Sequence, residues 1–402
     1  MRVTHIITRL VIGGAQENTL ATVRHLRGLP DMEVNLISGP SLGPEGSLEV
    51  EARKIPGLLT LVPELVRPVH PLKDFLALRK LEKLLRDQQP DIVHTHSGKA
   101  GILGRLAAKR AGVPIIIHHI HGPSFGNFQG AAANFIFTAA ERHAGKVTSH
   151  FIVVAEALKR NYLGAGIGQP EHYTKIYSGF AIEPFLAAKN DLTFRQQLGF
   201  APDDFIIGKI ARLVPRKGHA DLFAVFKTML PDCPRARLLL VGGGTLRSSL
   251  EALARDLRLA DKIIFTGLVP PGDVPRYVGI MDCLAHLSTF PEGLPRALPQ
   301  ALAAGKPVVA YDFDGADEVC LDNEAGFLIR SGDTDSAAKK LLQLANDAAL
   351  RENLGRAGTA LVKENFSVEK MVADQYHLYL KLYGGWAAAA AHVGAAAPTP
   401  PN

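Results

Sequence analysis

Short apolar runs alternate with longer amphipathic stretches along most of the chain. In the first half, residues 3–8, 34–37, 92–94, 115–119 and 151–154 are runs of the length and composition that form buried parallel strands. Stretches with helical spacing, such as 16–29 and 74–88, separate several of them. A last short strand is predicted at 175–177, and the segment from 178 to about 190 reads as a linker. The second half repeats the scheme at 206–211, 238–241, 263–266, 283–287 and 308–310. Two such halves predict an α/β chain of two doubly wound, Rossmann-like domains, at 1–180 and 181–366. A final helix is predicted at 367–384, and the Ala/Pro/Gly-rich remainder, 385–402, reads as a disordered tail. Ligands of such sheets bind outside the carboxyl ends of the strands, so two facing sheets are expected to hold a ligand in the cleft between them.

The most informative stretch is 288–310. A strand closes at Leu287, and Glu292-Gly293-Leu294-Pro295 makes a turn that opens a helix. Ala297, Leu298, Ala301 and Leu302 give that helix an apolar face; Gly305 stops it, and Lys306-Pro307 leads into the next strand. A helix N-terminus at the carboxyl end of a parallel strand offers free N–H groups and the positive end of a dipole, suited to a phosphate or a sugar hydroxyl. Glu292 stands just before it, where a carboxylate can accept hydrogen bonds from polyol hydroxyls.

This block resembles the signature of glycosyltransferase family 4, retaining enzymes with the GT-B fold. The family pattern is a Glu, seven residues, a second Glu, then small residues, Gly, Pro and a Val-rich strand. Glu292 matches the first Glu, whereas Gln300 departs from the second. Three more segments resemble family motifs in the family's order: Gly13-Gly14-Ala15-Gln16-Glu17, Ile120-His121-Gly122, and the stretch from Ile210 to Gly218 that holds Arg212 and Lys217. The match covers roughly 1–384. It implies that the domains face across a cleft and that the final helix crosses back to the first domain. It implies that Arg212 and Lys217 bind the donor diphosphate, that Gly14 lies near the diphosphate or donor sugar, and that His121 contacts the transferred sugar. Glu292 and the backbone of Gly293 and Leu294 are then expected on the donor sugar, and Gln300 on the ribose, where an amide keeps an acceptor oxygen but loses the charge.

Composition narrows the class further. At 402 residues two cores are expected. Cys233, Cys283 and Cys320 are far apart and odd in number, which argues against a disulfide framework and a Cys zinc site and for a reducing, cytoplasmic compartment. Arg9 interrupts the first apolar run, so no signal peptide is expected, and no run of about 18 apolar residues suggests a membrane span. Residues 1–180 hold 21 Lys and Arg against 14 Asp and Glu, while the remainder is nearly balanced. That excess reads either as ordinary surface scatter or as a basic domain facing an anionic membrane or a phosphorylated acceptor. No basic-aromatic stripe points to nucleic acid.

Other segments carry competing readings. His94 and His96, with His118, His119 and His121, could suggest a metal centre, but no His-Glu-x-x-His or Cys cluster supports one, and no metal or cofactor is expected. The segment 94–101 follows a first-domain strand, where an acceptor should bind; His96 and Lys99 are the acceptor candidates, with a solvated Lys99 as the alternative. Gly242-Gly243-Gly244 fails the dinucleotide pattern at Arg247 and is expected to wall the nucleotide pocket. Asp312-Phe313-Asp314 is read as a loop with a solvated or sugar-edge role. Phe125, Phe128, Phe135 and Phe137 are expected in the core, a membrane-surface helix near Arg105, Lys109 and Arg110 being the alternative. The resemblance implies a retaining hexosyltransferase moving a sugar from a nucleotide-diphospho-sugar, expected to be UDP-linked, to a lipid-linked or cell-surface polysaccharide precursor, in the cytoplasm or at the inner membrane face. Two alternatives stay open: a GT-B epimerase or hydrolase that needs no acceptor, and a non-catalytic nucleotide-sugar-binding homologue, which Gln300 favours.

Overall fold

The computed structural model describes residues 1–41, 46–96 and 98–392. The chain forms two compact units, Met1–Gly179 with Val368–Asn402, and Phe180–Ser367. In the first, β1 (Arg2–Ile7), β2 (Glu33–Ser38), β3 (Leu59–Leu61), β4 (Ile92–His96), β5 (Ile115–Ile120), β6 (His150–Val153) and β7 (Tyr173–Lys175) form one parallel sheet, in the order β3-β2-β1-β4-β5-β6-β7. In the second, β8 (Phe205–Ile210), β9 (Ala236–Val241), β10 (Ile263–Gly267), β11 (Cys283–His286), β12 (Val308–Tyr311) and β13 (Gly326–Ile329) form another, in the order β10-β9-β8-β11-β12-β13. In each, the order reverses beside the first strand, which is the doubly wound pattern. β3 and β13 lie at sheet edges, too short to show a period in sequence; β7 sits two residues earlier than predicted.

Strand parity decides which side chain goes where, because alternate residues face opposite sides. In the first sheet, Val3, Ile7, Ile115 and Ile117 enter one core with Leu20, Val23, Met371 and Tyr379. Ile6, Val93 and Ile116 enter the other, with Leu81 and Ala107. The first core is covered by the helices Gly14–Leu26 and Val368–His392, the second by Pro71–Gln88 and Gly98–Ala111.

The last helix corrects one expectation. Residues 385–392, read as the start of a disordered tail, continue the helix to His392; the rest of that tail, 393–402, lies outside the described residues. The alanine run 387–391 explains the extension, since alanine has the highest helix propensity and offsets Gly384 and Gly385. The aromatic region corrects another. Phe125 packs 4.9 Å from Tyr162, but Phe135 and Ile136 are exposed. The Ala131–Gly145 helix buries only Glu141 and Ala144, near its end, so its first turns project beyond the core.

Arg105, a surface base in the membrane-helix alternative, is fully buried. Its Nη2 lies 2.5 Å from Glu141 Oε2, both side chains 0% exposed, and its Nε donates to the Gly101 carbonyl at 2.7 Å. Removing one partner of such a pair strands a charge in a low-dielectric interior. Arg105→Ala is therefore expected to lower unfolding free energy by about 3–5 kcal/mol, and Arg105→Met with Glu141→Leu to recover most of it. Urea unfolding of both variants checks this; a single variant within 1 kcal/mol of the parent, on the order of a surface pair's worth, would refute it.

Candidate active site

In the second unit the chain leaves β8 through Arg212, which is exposed, and reaches Lys217-Gly218. Gly218 has φ 70°, and a Cβ there would sit 1.5 Å from the Leu287 carbonyl oxygen, so only glycine lets this loop rest on the end of β11. That close approach sets Lys217 Nζ 2.6 Å from Glu292 Oε1 and 4.5 Å over the Phe290 ring. Lys217 is not the solvated loop cation its position suggests: its side chain is 6% exposed. Burial lowers the pKa of its amine, Glu292 works against that, and the nearby Arg212 charge adds to it. Two residues picked out 75 positions apart by sequence thus form one ion pair.

The turn that presents Glu292 is held from behind. Asp314 Oδ2 accepts from the Glu292 N–H at 2.8 Å and the Gly293 N–H at 3.3 Å. Asp314 is therefore a brace and not a solvated edge residue, and the Gly293 amide expected to meet the donor is already engaged; Asp312 is exposed. Burial raises the Asp314 carboxyl, and the two amides oppose the rise. The helix is shorter than the pattern suggests, Ala297–Ala303, with Pro299 inside its first turn. Leu294 is buried, and Gln300 is half-buried on that helix. The Gly242–Gly244 turn packs on the Arg212 loop: Leu213 N–H donates to the Gly243 carbonyl, and Leu246 N–H to the Leu213 carbonyl, each at 2.9 Å. Beside that loop lies a pocket of about 280 Å³, lined by Arg216, Gly218, His219, Leu246, Leu250 and Thr289 among others.

Sequence reading missed Lys209, whose only signal is a lysine inside the apolar strand 206–210. It is 1% exposed and its Nζ has no hydrogen-bond partner. Burial, then the Lys217 charge, push its amine down to about 7, against the pull of Glu292 and Asp221. His286, also buried, places Nε2 3.7 Å from Glu292 Oε1, and burial keeps its pKa well below the usual range.

In the first unit, Gly14 is exposed at the first turn of the Gly14–Leu26 helix, whose N-cap has no side-chain hydrogen bond. His121 follows β5, and its Nε2 lies 3.0 Å from His96 Nδ1. His96 is buried with both ring nitrogens engaged, by His121 and by His5, so it does not face an acceptor here. Lys99 pairs with Asp74 at 2.6 Å and also donates to the Pro68 carbonyl, so its amine is neither solvated nor open. Parallel register gathers the histidines: His5 pairs with His94, and His96 with His119. Among the described residues His5, His94 and His96, and again His96, His119 and His121, hold ring nitrogens within 4.8 Å of one another. The rings stack face to face, 4.0 Å for His119 on His121 and 4.3 Å for His94 on His96, with interplanar angles of 18° and 28°. In-plane lone pairs of a stacked pair diverge, whereas His5 and His96, and His96 and His121, meet through their ring nitrogens at 2.9 and 3.0 Å, the spacing of hydrogen-bonded rings.

Lys209 makes the pH dependence of stability testable. Unfolded, its amine holds a proton up to about 10.5; folded, only to about 7. Between these values the unfolded chain binds more protons, so this residue's contribution to stability rises with pH across that window and is least favourable below pH 7. Lys209→Met should therefore stabilise the protein by roughly 2–4 kcal/mol at neutral pH and below, with the gain shrinking toward pH 10. Urea unfolding at several pH values decides it; a variant less stable than the parent at pH 7 would show that the amine is satisfied in the fold.

Two family models match the chain in tandem: the Glycosyl transferase 4-like domain at 13–179 and Glycosyl transferases group 1 at 190–361. Along 95% of its length the chain is 27% identical to the UDP-Gal:alpha-D-GlcNAc-diphosphoundecaprenol alpha-1,3-galactosyltransferase of Escherichia coli, covering 97% of that protein. It is 29% identical to the putative glycosyltransferase EpsD of Bacillus subtilis, over 76% of this chain and 81% of EpsD. Among solved structures, Anabaena HepE in complex with UDP superposes with a TM-score of 0.80 at 22% identity, over 95% of this chain and all of that one. Sucrose-phosphate synthase from Thermosynechococcus elongatus gives 0.77 at 19% identity, over 96% and all of the respective chains. With two parallel Rossmann-like sheets and both family models in order, the chain belongs to the family 4-like glycosyltransferases of GT-B fold.

Proposed function

We propose that this glycosyltransferase moves a hexose from a UDP-linked donor, with retention at the anomeric carbon, to a lipid-linked or cell-surface glycan precursor. The Lys217–Glu292 pair carries the reading, because it sets a cation and an acceptor carboxylate side by side at the carboxyl end of a parallel sheet. In the second unit, Arg212 and Lys217 neutralise the diphosphate, Glu292 accepts from donor-sugar hydroxyls with Leu294 alongside, and Gln300 bonds the ribose. In the first unit, Gly14 lends the open N-terminus of its helix to the donor, and His121 contacts the transferred sugar. The leaving phosphate takes the acceptor proton in a front-side reaction, so no second carboxylate is needed. A UDP donor and a diphosphoundecaprenol-linked acceptor are named for the Escherichia coli relative, and UDP for the HepE structure. Four relatives are named as GDP-mannose-dependent, which makes the nucleotide the first thing to measure.

Titration of UDP, UDP-sugars and GDP-mannose tests this reading. UDP-linked ligands should bind, and Arg212→Ala should weaken UDP about 10- to 100-fold without moving the melting temperature, since the side chain is exposed and loses a charge-assisted contact. Glu292→Ala should depress turnover more than UDP affinity. Unchanged UDP binding in Arg212→Ala removes the diphosphate assignment; tighter binding of GDP-mannose reassigns the nucleotide; UDP release that needs no acceptor makes the protein a hydrolase.

A membrane-facing role for the first unit rests on its apolar surface. Leu72, Phe75 and Leu76 are exposed at the start of the Pro71–Gln88 helix, Phe135 and Ile136 on the Ala131–Gly145 helix, with Arg67, Lys73 and Lys80 exposed nearby. Among the described residues no helix is long and apolar enough to cross a membrane, and the contact proposed is a peripheral one. The protein should float with vesicles containing anionic lipid and not with neutral ones, and Phe75→Ser with Phe135→Ser should abolish flotation. Equal flotation of parent and variant would remove this role.

A further inference from the structure

We propose that Tyr379 is a positioning residue for sugar recognition: through His5 and His96 it fixes His121 in the tautomer that offers a bare Nδ1 lone pair to a donor-sugar hydroxyl. The proposal deepens the reading of His121 given above and rests on it.

The contacts form one unbroken chain inside the first unit. Tyr379, from the Val368–His392 helix, places its hydroxyl 2.5 Å from His94 Nδ1 and 3.4 Å from His5 Nε2. His5 Nδ1 lies 2.9 Å from His96 Nε2, and His96 Nδ1 lies 3.0 Å from His121 Nε2. At the far end His121 Nδ1 is buried and has no hydrogen-bond partner. Tyr379, His5 and His96 are fully buried. Burial holds His5 and His121 down to about 3 and His96 well below the usual range, so the rings are neutral near pH 7.

A neutral imidazole has one N–H and one lone pair. Each hydrogen bond along the chain needs one of each, so setting one ring sets them all. Along His5, His96 and His121 only two directions satisfy every contact, and the direction depends on whether the tyrosine proton points at His5 Nε2. That proton goes to the shorter contact, His94 Nδ1. The hydroxyl oxygen then accepts from His5 Nε2–H, His5 Nδ1 accepts from His96 Nε2–H, and His96 Nδ1 accepts from His121 Nε2–H. What remains is a lone pair on His121 Nδ1. A buried acceptor left without a donor is costly, and a sugar hydroxyl is a donor that fits it. The reverse arrangement would present an N–H and ask the hydroxyl to accept.

The test is long-range proton–nitrogen correlation on the full chain labelled with 15N-histidine, together with kinetics on the nucleotide sugar it turns over. In the parent protein His5, His96 and His121 should all carry the proton on Nε2. Tyr379→Phe, which removes only the hydroxyl, should convert His121 to a mixture of tautomers and lower kcat/KM about three- to tenfold. One monodeoxy donor, lacking the hydroxyl that His121 meets, should be insensitive to Tyr379→Phe. If that variant unfolds, His5→Phe cuts the chain at similar volume and should have the same two effects. His121 protonated on Nδ1 in the parent, or an unchanged tautomer in both variants, overturns the proposal. So does an EDTA-reversible loss of the His96, His119 and His121 N–H signals, which would mean a bound metal ion. If the tautomers follow Tyr379 but His121→Ala leaves donor use unchanged, the relay stands and the sugar-contact reading of His121 fails.

Discussion

The ion pair between Lys217 and Glu292 is the interaction around which the second unit's carboxyl-terminal edge is arranged. Two buried or half-buried charges at 2.6 Å hold only if the backbone brings them together, since long side chains reaching across solvent lose what they gain to entropy. Two devices supply that backbone: Gly218 crosses the Leu287 carbonyl where no other residue fits, and Asp314 ties down the Glu292-Gly293 amides; the Phe290 ring then faces the lysine ammonium. Beneath the pair, Lys209 sits near the balance point of its proton at neutral pH. Any anion approaching this edge would meet one fixed cation, one exposed cation and a buried amine able to take up a proton as negative charge approaches.

The first unit is organised by a different constraint, the register of parallel strands. β1, β4 and β5 are matched so that His5, His94, His96 and His119 share one side. A sheet face that would ordinarily be Val and Ile is instead a stacked layer of imidazoles, closed on one side by a tyrosine. Such a layer survives only because neutral rings can satisfy one another. The cost shows at His119, whose two nitrogens have no partner.

Much of this was legible in the sequence because it depends on period and spacing. The alternation of apolar runs and helical stretches reports a parallel sheet directly, and the Glu292 block and the Arg212–Lys217 loop are contiguous in the chain. What escaped depends on distance across the fold. That Lys217 is buried follows from Phe290 and Leu287, far away in sequence. That Asp314 is a brace, or that Lys99 is spent on Asp74, follows from backbone geometry no local pattern encodes. Its place after a first-domain strand points His96 to an acceptor, but that place tells nothing of His5 and His121, which engage both its ring nitrogens, or of the helix whose tyrosine closes the histidine layer. The covering helix comes from the other end of the chain.

That last feature bears on how the protein is made. Val368–His392 completes a core that begins at residue 3, with the whole second unit synthesised in between. During vectorial synthesis the amino-terminal sheet emerges with one face only partly covered: the Gly14–Leu26 helix can pack on it, but the histidine layer and the neighbouring apolar residues lack Met371 and Tyr379 until Val368–His392 is made. The second unit is contiguous and can close first, although it is made later. While residues Phe180–Ser367 are being made, the amino-terminal sheet waits for the helix that completes its core, so apolar surface that is buried in the finished protein stays exposed on the nascent chain.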